Sequence, residues 1–135
     1  MTPEQKTLVR ESFAKVTPIA PAVAEMFYNR LFELDPSLRL LFRIDMKEQG
    51  RKLIAMIVTA VGNLDRLDEI VPAVRELGKR HAGYGVLDAH YDTVASALLW
   101  TFEQRLGSDF TPATKEAWVA CYGVLSGVMK ASAAE

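Results

Sequence analysis

Four times in this chain a short polar residue stands directly before a proline: Thr2-Pro3, Thr17-Pro18, Asp35-Pro36 and Thr111-Pro112. A Thr or Asp side chain accepts from the unpaired N–H groups that open a helix. Proline fits the first helical position, where its missing N–H costs nothing. Each pair therefore marks a place where one helix stops or another starts. Between the marks, apolar residues recur at three- and four-residue spacing, the period of a helix with one buried face. No hairpin signal, internal repeat or low-complexity stretch interrupts the pattern. The expectation is an all-α chain.

The first helix is expected from Pro3 to about Val16. Gln5, three residues after Thr2, completes a capping box. The second starts near Pro18–Pro21 and runs to about Leu34, on a stripe of Val23, Met26, Phe27, Leu31 and Leu34; Tyr28 and Phe32 lie one turn apart on an adjoining line. A short helix follows Asp35-Pro36 to about Phe42, and 43–46 reads as a loop. A long helix is expected over roughly 47–64, with Gly50 where a neighbouring helix could approach closely. The next spans about 68–81. Asp88 reads as the cap of a helix that Gly107 ends, and the last helix runs from Thr111-Pro112 to about Ser132. Seven helices of such uneven length disfavour a regular four-helix bundle. They suit an irregular fold with steep crossings, in one domain over residues 1–135.

Composition narrows the chemistry. Half of the residues are hydrophobic, enough for a real core at this length. The net charge is −1, so no broad basic footprint for nucleic acid exists. The longest apolar run, Leu53–Val61, contains Thr59 and is too short to span a membrane. The opening residues resemble neither a secretory signal nor a transit peptide. Cys121 is the single cysteine, which rules out an internal disulfide and a cysteine cluster for zinc or iron–sulfur. A reducing cytoplasm is the expected home.

Candidate catalytic sets are thin. No Glu-x-x-His, phosphate-binding glycine loop or zinc motif occurs. One imidazole stands out. His81 closes a helical segment just before Gly83 and Gly85, with Leu77 and Val74 four and seven residues upstream on the same face. An isolated histidine is by default a satisfied or surface residue rather than a ligand. Tyr28 and Gln49 are odd in another way, because each sits among core-facing residues. Singly, each is explained by a hydroxyl or amide reaching solvent. Together with His81 they outline a lined pocket.

The ordered set Phe27-Tyr28-Asn29-Arg30-Leu31-Phe32, Asp35-Pro36, Leu41-Phe42, Gln49-Gly50-Arg51-Lys52-Leu53, Arg80-His81, His90-Tyr91, Ala117-Trp118 and Cys121-Tyr122-Gly123-Val124-Leu125 resembles the bacterial single-domain globins. The likeness is to the Vitreoscilla-type and flavohaemoglobin globin domains and to the Tyr/Gln globin of acidophilic methanotrophs, and it covers essentially the whole chain. It implies a globin fold of about seven helices around haem b (iron protoporphyrin IX). By this resemblance His81 is the iron ligand, with its other N–H on a backbone carbonyl. Phe42 and Leu53 wall the open side, where Tyr28 and Gln49 are the hydrogen-bond donors to a gas. Leu77, Tyr91 and Val94 line the cofactor, and Lys52 and Arg80 are placed near its propionates. His90 is expected to face solvent.

The implied function is reversible O₂ binding, for storage, delivery or scavenging. Two donors facing a gas of partial negative charge favour O₂ over CO. Each is worth about 1.5–3 kcal/mol, so tight binding and slow release are expected. The alternative is a nitric oxide dioxygenase, converting NO and O₂ to nitrate. The chain is too short for flavin and NAD domains, so turnover would need a separate reductase. One departure bears on that: the flavohaemoglobin pattern adds a glutamate on the last helix, near where this chain has Ala133. Strong electron push at His81 is then not expected. A helical sensor or interaction module, with or without haem, is the third reading.

Overall fold

Six α-helices carry the chain in the computed structural model, which describes residues 1–42 and 45–133. They are α1 (Pro3–Val16), α2 (Ala20–Leu34), α3 (Met46–Gly62), α4 (Leu67–Gly83), α5 (Asp88–Leu106) and α6 (Pro112–Ala133). Thr2 caps α1 as the sequence suggests. Its Oγ accepts from Gln5 N–H at 3.1 Å, and Gln5 Oε1 accepts from Thr2 N–H at 3.0 Å. Short 3₁₀ turns cover Thr17–Ile19 and Gly107–Asp109.

Three expectations need correction. The short helix after Asp35-Pro36 is a 3₁₀ segment, Pro36–Leu41. Six residues are too few to offset the cost of nucleating an α-helix. With it, the six α-helices make up the expected seven helical segments. Of the loop expected over 43–46, residues 43 and 44 lie outside the described residues, and Met46 already belongs to α3. Asp88 is not a cap but the first residue of α5. The capping position is Leu87, whose N–H donates to His90 Nδ1 at 2.9 Å. His90 is accordingly half-buried and engaged with the backbone rather than simply facing solvent.

The core divides in two. The larger cluster gathers Val9, Phe13, Phe27, Leu31, Phe102 and Trp118 from α1, α2, α5 and α6. Trp118 donates its indole N–H to Ser12 Oγ at 2.8 Å, so this buried donor is satisfied. The smaller cluster gathers Ala60, Ile70, Val74, Tyr91 and Met129. Leu125 packs against both. α3 lies on α2 and α4 lies on α6, with little direct packing of α3 on α4. Among the described residues, no helix is long and apolar enough to cross a membrane.

Candidate functional site

Tyr28 sits on α2 with its side chain in the larger cluster, 6 % exposed. Its ring packs edge-on against Phe27 (centroids 4.8 Å) and Phe42 (5.4 Å) and stacks on Phe32 (6.2 Å). The Gln49 side chain, from the first turn of α3, comes near enough to the phenol to lower its pKa. Burial pushes its pKa up to about 12, and the nearby Gln49 amide offsets only part of that. The phenol therefore keeps its proton, and its capacity to donate, across the physiological range. α3 can come this close to α2 because Gly50 faces Ala24: a Cβ at Gly50 would stand 3.1 Å from Ala24 Cβ. Phe42 closes the aromatic group against Phe32, 5.5 Å between centroids.

His81 lies in the last turns of α4, which continues through Gly83 rather than fraying at the histidine. Its Nδ1 is 2.9 Å from the carbonyl oxygen of Leu77, one turn earlier. A carbonyl can only accept, so Nδ1 carries the proton and Nε2 keeps its lone pair. Burial holds the pKa below the usual histidine value; the Leu77 bond works against that and Arg80 adds to it. The half-buried ring is thus a neutral imidazole presenting one basic nitrogen. The chain after α4 turns back at Gly85, with φ +93°. A side chain there would meet Leu41, the neighbour of Phe42, at 3.6 Å. The loop after His81 and the segment before Phe42 therefore adjoin.

The remaining candidates divide by exposure. Leu53 and Val94 are half-buried against the larger cluster; Leu77 is half-buried against the smaller. Lys52 and Arg80 are exposed. Tyr91 is buried within the smaller cluster, and its carbonyl accepts from Tyr122 Oη at 2.7 Å. Burial, with Asp88 nearby, raises its pKa. Cys121 is buried and its thiol is pushed up to about 11, so it offers no thiolate at neutral pH. Among the described residues, no three His, Cys, Asp or Glu side chains converge to hold a metal ion. A lone imidazole suits a metal whose other ligands a cofactor brings.

A family model of the globins matches residues 25–129. The chain belongs to the globin family. Curated relatives of this globin include the flavohaemoproteins of Vibrio cholerae (27 % identical over 95 % of this chain), Xylella fastidiosa (29 % over 96 %) and Bacillus subtilis (33 % over 74 %). It spans only 33 %, 33 % and 26 % of their respective lengths. Among solved structures it superposes on an engineered carbene transferase from Rhodothermus marinus, provisionally described as a nitric oxide dioxygenase. The TM-score is 0.90 at 26 % identity, covering 99 % of this chain and 94 % of the other. Globins bind haem, and the fold of this one is that of the family.

Two parts of the site were missed in the sequence. Phe32 shares the aromatic group with Tyr28 and Phe42, and its one-turn spacing from Tyr28 was the available signal. The Leu77 carbonyl was also readable, because a helical residue's i−4 carbonyl is the nearest backbone acceptor.

Proposed function

We propose that this globin binds haem b in the seam between its two core clusters, with His81 Nε2 on the iron, and holds O₂ reversibly. The observation that carries the proposal is the 2.9 Å contact between His81 Nδ1 and the Leu77 carbonyl, which leaves Nε2 as a lone-pair donor. Haem, when bound, supplies an iron that takes a small diatomic gas. Everything else falls to the chain. Leu53, Leu77 and Val94 are apolar side chains left half-buried, suited to a flat apolar ring. Phe42 belongs to the same wall. Lys52 and Arg80 are exposed cations, suited to propionates at its edge. Tyr28 keeps its proton and donates; Gln49 lies near the phenol and offers a second N–H. Tyr91 supports α4 through the smaller cluster.

A nitric oxide dioxygenase is the second reading, favoured by the provisional description of the Rhodothermus marinus protein. NO and O₂ combine to nitrate with one electron taken up per turnover, which a reductase would supply. Tyr28 and Gln49, buried and half-buried respectively, would serve either activity.

A visible spectrum tests both. The ferric protein is reduced with dithionite, then mixed with O₂, CO and NO in turn. Reversible O₂ uptake with little loss over minutes supports the first reading; stoichiometric nitrate on adding NO supports the second. His81→Ala should abolish the five-coordinate ferrous spectrum, and imidazole in the buffer should restore it. A protein that takes up no hemin sinks the proposal.

A further inference from the structure

The chain's four tyrosines, two tryptophans and one cysteine all lie among the described residues. These are the side chains that give up a single electron most readily, and all but one are shielded. Tyr28 and Tyr91 are buried. Tyr122 is half-buried, with its hydroxyl donating to the Tyr91 carbonyl at 2.7 Å. Trp118 is buried with its indole N–H on Ser12. Trp100 is half-buried under the Arg30 guanidinium, 4.8 Å from the ring centroid. A cation over a ring makes an electron harder to remove. Cys121 is buried as a thiol. Tyr84 is the exception, 64 % exposed.

Tyr84 is also tied to the proposed iron ligand. Its ring centroid stands 6.4 Å from that of His81. The His81 carbonyl accepts from the N–H groups of Tyr84 and Val86, each at 3.0 Å. The turn at Gly85 thus folds the chain back on the ligand's own backbone. Ring proximity and a short bonded path both join imidazole to phenol. Tyr28, the other tyrosine of the site, is placed differently. Phe27, Phe32, Phe42 and the Gln49 amide surround it. None of them takes up the proton that a phenol releases when it loses an electron. Water does so around Tyr84.

We propose that Tyr84 is an oxidative modification site: hydrogen peroxide reacting at the iron draws an electron and a proton from its phenol, and two such residues, on two copies of the chain, join through their rings. The inference rests on the haem reading above, which puts an iron on His81. Each Tyr84 gives up one hydrogen atom, and a carbon–carbon bond forms between the positions beside the two hydroxyls. The O–O bond of the peroxide breaks, and its oxygens take the two hydrogens and leave as two waters. The oxidising equivalent is thereby spent at the surface, away from Tyr28 and the rings around it.

The test loads the protein with hemin, removes the excess by desalting and adds hydrogen peroxide to the ferric form. A tyrosyl radical should appear by electron paramagnetic resonance in samples frozen within seconds. Dityrosine fluorescence and a covalent dimer on a denaturing gel should follow, with a cross-linked peptide that contains Tyr84 twice. Tyr84→Phe should lose the dimer and most of the radical signal while its iron still reacts with peroxide; Tyr122→Phe should keep both. The apoprotein should give no dimer with peroxide alone. A ruthenium trisbipyridyl photo-oxidant with persulfate, which needs no haem, should cross-link the apoprotein at the same residue. Peroxide consumed at the iron without coupling of Tyr84, or with another tyrosine coupled in preference, overturns the proposal. Photo-oxidation that spares Tyr84 overturns it too, because the phenol is then inaccessible. A chain that takes up no hemin strikes the haem reading and the iron-driven step with it; cross-linking by the photo-oxidant would show that the failure lies there and not in the exposure of Tyr84.

Discussion

Gly50 and Gly78 both sit where two helices cross, and the crossings are built differently. At Gly50 a Cβ would meet the Ala24 methyl at 3.1 Å, side chain against side chain. At Gly78 a Cβ would run into the main chain of α6, 2.6 Å from the Met129 carbonyl oxygen and 2.7 Å from its Cα, and into Ser132 Oγ. The first crossing carries Gln49 to Tyr28; the second carries Leu77 and His81, one residue before and three residues after Gly78. Around Tyr28, Phe27, Phe32 and Phe42 share the positioning, so a small shift can be absorbed. Around His81, the imidazole is bonded to the backbone of its own helix, and that helix is seated backbone to backbone on α6. Side chains adjust; main chains in contact do not.

Gly78→Ala should therefore have the largest effect. Part of α4 must lift from α6, and overpacking of this kind costs about 3 kcal/mol. At this chain length that is a Tm roughly 10 °C lower by circular dichroism. Haem, once bound, should dissociate faster, read by transfer to an apo-acceptor. An unchanged Tm would show that the α4–α6 contact is looser than the structure has it.

On the other side, Tyr28→Phe removes a donor without removing a ring. Stability should change little, while O₂ release should accelerate roughly tenfold to a hundredfold, the worth of one bond to a polarised acceptor. Stopped-flow displacement of O₂ by CO reads the rate. An unchanged off-rate would leave the buried phenol a packing residue only.

The same phenol sets a pH limit. Its pKa is about 12 in the folded chain and about 10 when unfolded. The folded state thus holds this proton more tightly. The stability it contributes is whole below pH 10 and is lost as pH rises from there through 12. Tyr122, also raised by burial, acts in the same direction. Urea titrations between pH 9 and 11 should show falling stability, with a shallower slope in Tyr28→Phe. Equal slopes would mean that the Tyr28 phenol is solvated.

The sequence disclosed what local chemistry controls. The Thr2–Gln5 capping box and the turn at Gly107 need only neighbours in the chain, and both are present; of the α2 stripe, Val23, Phe27 and Leu31 are buried, Met26 is half-buried, and Leu34, at the helix end, is exposed. The family resemblance supplied roles for His81, Tyr28 and Gln49 that spacing alone left open. Gly78 carried no signal, because its reason is Met129, fifty-one residues away. The 3₁₀ form of Pro36–Leu41 was hidden because cap-plus-proline marks a start without giving a pitch. His90 went astray because a ring nitrogen capping three residues back is rarer than an Asp doing so.

The smallest effect gives the contrast its sharpest control. In Gly50→Ala two terms of opposite sign meet. Alanine inside a helix gains about 1 kcal/mol over glycine. Crowding at 3.1 Å takes back a comparable amount, because the Ala24 methyl need give only a few tenths of an ångström. The net should lie within about 1 kcal/mol of zero, a Tm change of a few degrees in either direction. Gly78→Ala enjoys the same helical gain, so the difference between the two variants isolates what each new methyl strikes. If Gly50→Ala falls as far as Gly78→Ala, then α2 and α3 are seated as tightly as α4 and α6. Both halves of the site would then be set by the main chain.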